Sequence, residues 1–153
     1  MRDPHDYTTD DMTEVLLTNV VGYLRLIYAF LPLLEKSDDP RSVNVSSGHG
    51  SFRHLQDRSR TGAFAGTPLH AASKAAVNMM TVHFARLLPN IRINAVDPGL
   101  TATDLSGGHG HSVHDGTDAI IAYALSAPGG PTGTFARPDL DRSEMVDLYS
   151  PAR

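Results

Sequence analysis

The residues best suited to chemistry lie in the stretch 68–80, where His70 and Lys74 are four positions apart. Four positions is about one helical turn, so on a helix both side chains lie on one face and can reach the same reacting group. The residues between them, 71–73, are small enough for a flat ligand to approach closely. An imidazole, whose ordinary pKa is about 6.5, can donate a proton near neutral pH. The pair therefore indicates a site of proton transfer on a helix.

Two further candidates lie upstream of this helix. Ser46 and Ser47 follow a short β-branched run and precede Gly48-His49-Gly50. A strand that runs into a Gly/Ser loop is typical of a strand whose carboxyl end opens onto a site. Asn19 lies within a long apolar helical pattern, where a polar residue is equally well explained by structure. Taken singly, each of these residues has an ordinary structural explanation.

Composition limits the classes of function. The chain has 153 residues, 41% of them hydrophobic, and a net charge of −4, so we expect one soluble domain without a nucleic-acid or anionic-membrane partner. No cysteine is present, which excludes disulfides and thiolate zinc sites. The polar N-terminus is not a secretory signal, and we expect a cytoplasmic protein. Asn19, Arg25 and Pro32 interrupt the longest apolar stretch, which predicts no membrane span.

Helical and strand patterns alternate along the chain. A helix apolar on two sides is predicted to begin after N-cap candidates at 9–11, and such a helix packs on a sheet with one side and on a partner with the other. Strands that alternate with helices indicate an α/β sheet of parallel strands with crossover helices. The predicted elements are helices at about 12–34, 68–88 and 115–126, strands at 42–46, 91–96 and 132–135, and loops at 52–67 and 100–114.

Two glycine-containing segments invite other interpretations. His109, His111 and His114 offer three imidazoles to a zinc ion, but no predicted strand or helix fixes their geometry, so a flexible loop is the preferred interpretation. Gly48-x-Gly50 lacks the third glycine of a dinucleotide-binding turn. We therefore predict no metal site.

Several motifs occur in an order that resembles one family. They are Thr18-Asn19-Val20-Val21-Gly22, Val43-Asn44-Val45-Ser46-Ser47, Ala71-Ala72-Ser73-Lys74, and the segment from Arg92 to Thr103 with Asp97-Pro98-Gly99 at its centre. Together they resemble the short-chain dehydrogenase/reductase family over residues 8–136, and the long gap between Ser47 and His70 resembles its carbonyl-reductase-like subgroup. Residues 137–153 form a divergent tail to which we assign no role.

The resemblance implies a fold, an activity and a partner. The fold would be one partial Rossmann-like domain over 1–153, with a doubly wound parallel sheet. The activity would be NAD- or NADP-dependent hydride transfer between the nicotinamide and a small carbonyl or alcohol substrate. In the family, the helices at about 10–34 and 68–88 pair in a dimer, so a homo-oligomer is expected.

The resemblance also implies a role for each candidate residue. Ser47, with Ser46 as second choice, would hold the substrate oxygen, and Asn19 would anchor a proton-relaying water. Lys74 would bind the nicotinamide ribose, and His70 occupies the position of the family's proton-donating tyrosine. The implied cofactor-binding residues are Lys74, Pro98, Gly99, Thr101 and Thr103.

Two departures from the family reduce the expected activity. His70 replaces the tyrosine, and its nitrogen stops short of the phenol oxygen's position. The family's N-terminal half, including the Gly-rich Thr-Gly-x-x-x-Gly-x-Gly turn, is not found in these residues, so we expect weak or no cofactor binding and an exposed sheet edge near Val45. The alternative function is a non-catalytic fragment that serves as a dimerisation module. The substrate and the choice between NAD and NADP are left open.

Overall fold

The computed structural model describes residues 3–56, 67–137 and the backbone of 146 and 147. Helices and strands alternate in chain order, as the sequence patterns predict. The helices are α1 (Thr9–Leu16), α2 (Gly22–Leu34), α3 (Phe52–Gln56), α4 (Pro68–Leu87) and α5 (Val113–Ala124), and the strands are β1 (Arg41–Val45), β2 (Arg92–Val96), β3 (Thr134–Ala136) and β4 (Val146–Asp147).

The strands form one mostly parallel sheet in the order β1-β2-β3-β4. β1 pairs with β2 in parallel, with Val45 opposite Val96, and β2 pairs in parallel with β3. β4 runs antiparallel to β3, so it lies at one edge. Within the described residues β1 forms the other edge, and Val45 is 47% exposed there, in agreement with the predicted open edge.

The first long helix is continuous from Thr9 to Leu34 and contains one π-helical turn, Leu17–Val21. Its N-cap is Thr8, whose side chain forms a capping box with Asp11. The sequence placed the cap at 9–11, because several hydroxyl and carboxylate side chains in a row offer equivalent capping oxygens. Pro32 lies inside the helix, which ends two residues later.

One face of this helix packs inward and the other is exposed. Ile27 packs with Ala85, Ile91 and Ile93 in a buried cluster between the helices and the sheet. By length and composition alone the helix is able to cross a membrane, although its inward face contacts α4. The absence of a membrane partner and the pairing with a second copy therefore stay predictions. The large exposed apolar side chains of this helix are Leu17, Leu26, Tyr28, Phe30 and Leu33.

A second helix layer covers the opposite face of the sheet. Because side chains alternate along a strand, Ile93 and Val96 of β2 lie on opposite faces. Val96 packs with Tyr123 of α5 and Ala136 of β3 in a second buried cluster. The sheet thus has helices on both faces, which is the α/β architecture predicted from the sequence.

The short elements were not predicted. α3 lies in the segment 52–67, which the sequence assigned to a loop, and residues 57–66 of that segment lie outside the described part. β4 lies in the tail from residue 137, to which the sequence assigned no element. A five-residue helix and a two-residue strand carry too few residues to show a hydrophobic period.

Candidate active site

The carboxyl ends of β1 and β2 and the start of α4 meet around one cavity. Its volume is about 670 Å³ and its wall is mostly apolar. Parallel α/β sheets bind ligands in the crevice at the carboxyl ends of their strands, so this is the expected place for a site. The polar lining residues are Ser47, His49, Thr67, His70, Thr101, Thr103, Ser106 and Thr117.

His70 reaches this cavity from the first turn of α4. Thr67 caps the helix, and its hydroxyl accepts a 3.1 Å hydrogen bond from the His70 backbone N–H. Burial lowers the pKa of His70, and the positive charges of Lys74 and His49 lower it further, while Asp97 opposes them. The fold therefore favours the neutral imidazole.

Lys74 lies one turn further along α4, as the four-residue spacing predicts. Its Nζ donates a 3.0 Å hydrogen bond to the backbone carbonyl of Val45, at the end of β1. Burial lowers the pKa of Lys74, and the carboxylate of Asp97 opposes that shift. An ammonium carries three N–H bonds, so ligand hydroxyls can accept from the others.

The two adjacent serines occupy different environments. Ser46 is 3% exposed, and its hydroxyl donates a 2.6 Å hydrogen bond to Oδ1 of Asn78. Ser47 lines the cavity, and its Oγ caps the 3₁₀ turn Gly48–Gly50 by accepting from the His49 N–H at 3.2 Å. Of the two, Ser47 is therefore the one placed to touch a ligand.

Asn19 lies in the π-helical turn, behind the start of α4. Its Nδ2 donates a 3.0 Å hydrogen bond to Oγ of Ser73, which in turn donates to the backbone carbonyl of His70 at 2.8 Å. Turns of this kind are common at functional sites. Asn19 thus connects the first helix to the backbone of His70, and its role in anchoring a water stays a prediction.

The segment after β2 forms the opposite wall. Pro98, Thr101 and Thr103 line the cavity, whereas Gly99 does not. Gly99 adopts a φ of 72°, and its N–H donates to Oδ1 of Asp97 at 3.0 Å. A Cβ at this position would lie 2.7 Å from Nε2 of His111, so both conformation and space require glycine. Gly99 thus shapes the turn that presents its neighbours.

The three imidazoles of the 109–114 segment do not gather around one point. His111 packs on Gly99, and its segment forms a bridge with Thr101. His114 lies near Asp115 and Asp118 on α5, where all three side chains are exposed. In the described part of the chain this is the one grouping with metal-ligating geometry, and exposed acidic groups are common without an ion. The absence of a metal site stays a prediction.

Two residues of the site were missed from sequence. The His49 ring packs edge-on against that of His70, with 5.9 Å between the centroids, and lines the same cavity. Asn78 bridges the loop by accepting from Ser46 and donating to the Gly50 carbonyl at 3.2 Å. A signal for Asn78 was available, because it lies one turn after Lys74, on the face that must meet the strand end.

A comparison with known proteins identifies the family. The family described as short chain dehydrogenase matches residues 1–112. Short-chain dehydrogenase/reductase 1 of Saponaria officinalis is 35% identical, covering 80% of this chain and 52% of its own length. (−)-Isopiperitenone reductase of Mentha piperita is 32% identical, covering 89% and 53% respectively. The chain thus spans about half the length of these relatives.

Solved structures agree with this assignment. Salutaridine reductase from Papaver somniferum superposes with a TM-score of 0.73 at 27% identity, over 91% of this chain and 60% of that one. The NADPH-bound carbonyl reductase from chicken fatty liver gives a TM-score of 0.73 at 26% identity, over 90% and 58%. The site described above therefore lies in a Rossmann-like α/β fold, and the chain belongs to the short-chain dehydrogenase/reductase family.

Proposed function

We propose that this chain provides the part of an NAD(P)-dependent carbonyl reductase that binds the substrate and the nicotinamide end of the cofactor. The observation that supports this most is that Ser47 and His70 line one apolar cavity together with Pro98 and Thr101. A hydroxyl and an imidazole that converge on an apolar cavity suit a small substrate with a single carbonyl oxygen. Family membership favours this activity over the alternative of a non-catalytic dimerisation module.

The residues present fit the nicotinamide end of the cofactor. Lys74 offers an ammonium beside the strand end, and Thr101 and Thr103 offer hydroxyls on the cavity wall. A cation for the ribose hydroxyls and hydroxyls for the carboxamide are the groups that such a ligand needs. We propose that Lys74, Pro98, Gly99, Thr101 and Thr103 hold this end.

The residues of the chain then act on the substrate oxygen. When bound, a reduced nicotinamide would supply the hydride that converts the carbonyl group to an alkoxide. The Ser47 hydroxyl would donate a hydrogen bond to the negative charge that develops on the carbonyl oxygen. Protonated His70 gives its proton to this oxygen and becomes neutral, which completes the alcohol.

This assignment gives the reaction a defined pH dependence. Only protonated His70 can donate, and its pKa lies below the ordinary value, so the reduction rate falls as pH rises through that lowered pKa. A tyrosine, whose ordinary pKa is about 10, keeps its proton over that whole range. We therefore expect His70→Tyr to reduce a simple ketone such as cyclohexanone ~10–100-fold faster at pH ~7.5, because a misplaced catalytic group costs about that much.

The test is NADPH oxidation by the 153-residue chain at millimolar NADPH, with cyclohexanone as the ketone. His83→Tyr is the matched control, since His83 lies exposed on the same helix and should leave the rate unchanged. Equal rates for His70→Tyr and the unaltered chain contradict the assignment of His70.

We also propose that this chain alone binds the cofactor weakly. Its 153 residues contain no Thr-Gly-x-x-x-Gly-x-Gly turn, the element that places pyrophosphate on a helix N-terminus. A fluorescence titration with NADPH should therefore give no saturation in the micromolar range. Saturable micromolar binding contradicts this part of the proposal.

A further inference from the structure

His49 is a polar residue of the cavity wall to which the proposed reaction assigns no role. It follows Ser47 by two positions and lies in the 3₁₀ turn Gly48–Gly50, on the cavity wall. Its Nδ1 is 3.3 Å from Oγ of Ser47, and its Nε2 is buried with no hydrogen-bond partner among the described residues. A buried ring nitrogen without a partner is uncommon and calls for an explanation.

The turn that carries His49 is held rigidly at both ends. Asn78 bonds the Ser46 hydroxyl on one side and the Gly50 carbonyl on the other. Gly50 packs so closely on α4 that a Cβ there would lie 2.6 Å from the backbone carbon of Lys74. The His49 backbone N–H is consequently fixed against Oγ of Ser47, at 3.2 Å.

The two tautomers of His49 have opposite consequences for Ser47. If Nδ1 is bare, it accepts the Ser47 hydroxyl proton, which then cannot reach a substrate. If Nδ1 carries the proton, Oγ accepts two hydrogen bonds from His49, one from the backbone and one from the ring. A hydroxyl has two lone pairs and one O–H. With both lone pairs occupied, the O–H is left for the cavity.

We propose that His49 is a positioning residue, whose Nδ1–H and backbone N–H together hold Oγ of Ser47 so that the hydroxyl proton points at the substrate oxygen. In this tautomer Nε2 carries no proton, and the orientation of the Ser47 hydroxyl does not require a partner for Nε2. The charged and titratable groups around this pair are His54, His70, Lys74, Asp97 and Arg137.

This inference rests on the proposed carbonyl reduction, in which the Ser47 hydroxyl is a donor. The sharpest variants are His49→Asn and His49→Asp, which have nearly the same shape. Asn places an N–H donor where Nδ1 lies, whereas a carboxylate there can only accept. We expect Asn to retain kcat within about threefold, and Asp to lose about a hundredfold, as expected when one oxyanion donor is removed. Equal loss in both variants, or a faster Asp variant, overturns the proposal.

A second measurement reports the tautomer of His49 directly. It does not depend on activity, so it tests the proposal even if the chain reduces no ketone. Imidazole ¹⁵N chemical shifts distinguish the tautomers, and the His49 signal is the one that disappears in His49→Asn. We expect a protonated Nδ1 and a bare Nε2, because only this tautomer donates from the ring to Oγ of Ser47. Ser47→Ala should weaken this preference, while Ser51→Ala, whose hydroxyl accepts from the His54 N–H, should not. A dominant Nε2–H tautomer overturns the proposal even if the reductase assignment stands.

Discussion

Two polar groups on the same short loop are arranged in opposite ways. In the first, which we call the clamp, Ser46, Asn78 and Gly50 join in hydrogen bonds of 2.6 and 3.2 Å, and both side chains are buried. In the second, Ser47 and His49 make contacts of 3.2 and 3.3 Å at the cavity wall, and no described residue forms a hydrogen bond with Nε2 of His49. The comparison indicates that the clamp stabilises the loop, whereas the Ser47–His49 pair remains accessible to a ligand.

Removing the centre of the clamp should have the largest effect on stability. Asn78→Ala leaves the Gly50 carbonyl buried without its partner and leaves the Ser46 hydroxyl only a 3.4 Å contact with the Lys74 carbonyl, and a buried polar group that loses its hydrogen bond costs about 1–3 kcal/mol. We expect the free energy of unfolding, measured by urea titration, to fall by ~2–4 kcal/mol. Asn90→Ala, at an exposed turn, should change it by less than ~0.5 kcal/mol. Similar losses in both variants would contradict the role of the clamp.

Filling the space beside the clamp should cost somewhat less. Gly50→Ala pushes a Cβ into the backbone of Lys74, and overpacking of this kind destabilises by roughly 1–3 kcal/mol. Gly22→Ala is the matched control, because a Cβ at Gly22 meets only an oxygen at an ordinary 3.7 Å within a continuous helix. Alanine there should stabilise by about 0.5–1 kcal/mol. If both substitutions shift the urea midpoint in the same direction, the close approach of Gly50 to α4 does not explain the stability change of Gly50→Ala.

The sequence predicted the regular elements well and the clamp not at all. β1, α4 and β2 lie within a residue or two of their predicted bounds, because their hydrophobic periods are strong. Ser47 and His70 were identified by type and order, and the structure brings both to one cavity. Asn78 and His49 were missed because their partners depend on how a loop folds onto α4, which no local pattern reports. Tertiary contacts of this kind have no sequence period.

The pH dependence of stability should show the smallest effect. Because the pKa of His70 is lowered in the folded chain, the unfolded chain binds more protons just below pH ~6.5, and stability falls as pH falls through that range. Burial is the main cause of the lowered pKa, the charges of Lys74 and His49 lower it further, and Asp97 opposes them. We expect His70→Gln to lose less stability than the unaltered chain between pH ~7.5 and ~5.5. Urea midpoints at the two pH values check this.

The exposed histidine of the same helix provides the control for that measurement. His83→Gln should show the same pH dependence as the unaltered chain. If the stability of His70→Gln depends on pH as strongly as that of the unaltered chain, burial of this imidazole does not affect the pH dependence of folding.

The most direct test measures two quantities on the two adjacent serines. For Ser46→Ala we predict a loss of ~1–2 kcal/mol in the free energy of unfolding, with most of the ketone reduction rate retained by the folded protein. For Ser47→Ala we predict a smaller stability loss than for Ser46→Ala, about 0.5–1 kcal/mol from the lost cap of the 3₁₀ turn, and a rate lower by about a hundredfold. A Ser47→Ala variant that reduces the ketone as fast as the unaltered chain, or whose stability falls as far as that of Ser46→Ala, contradicts the division between the clamp and the Ser47–His49 pair.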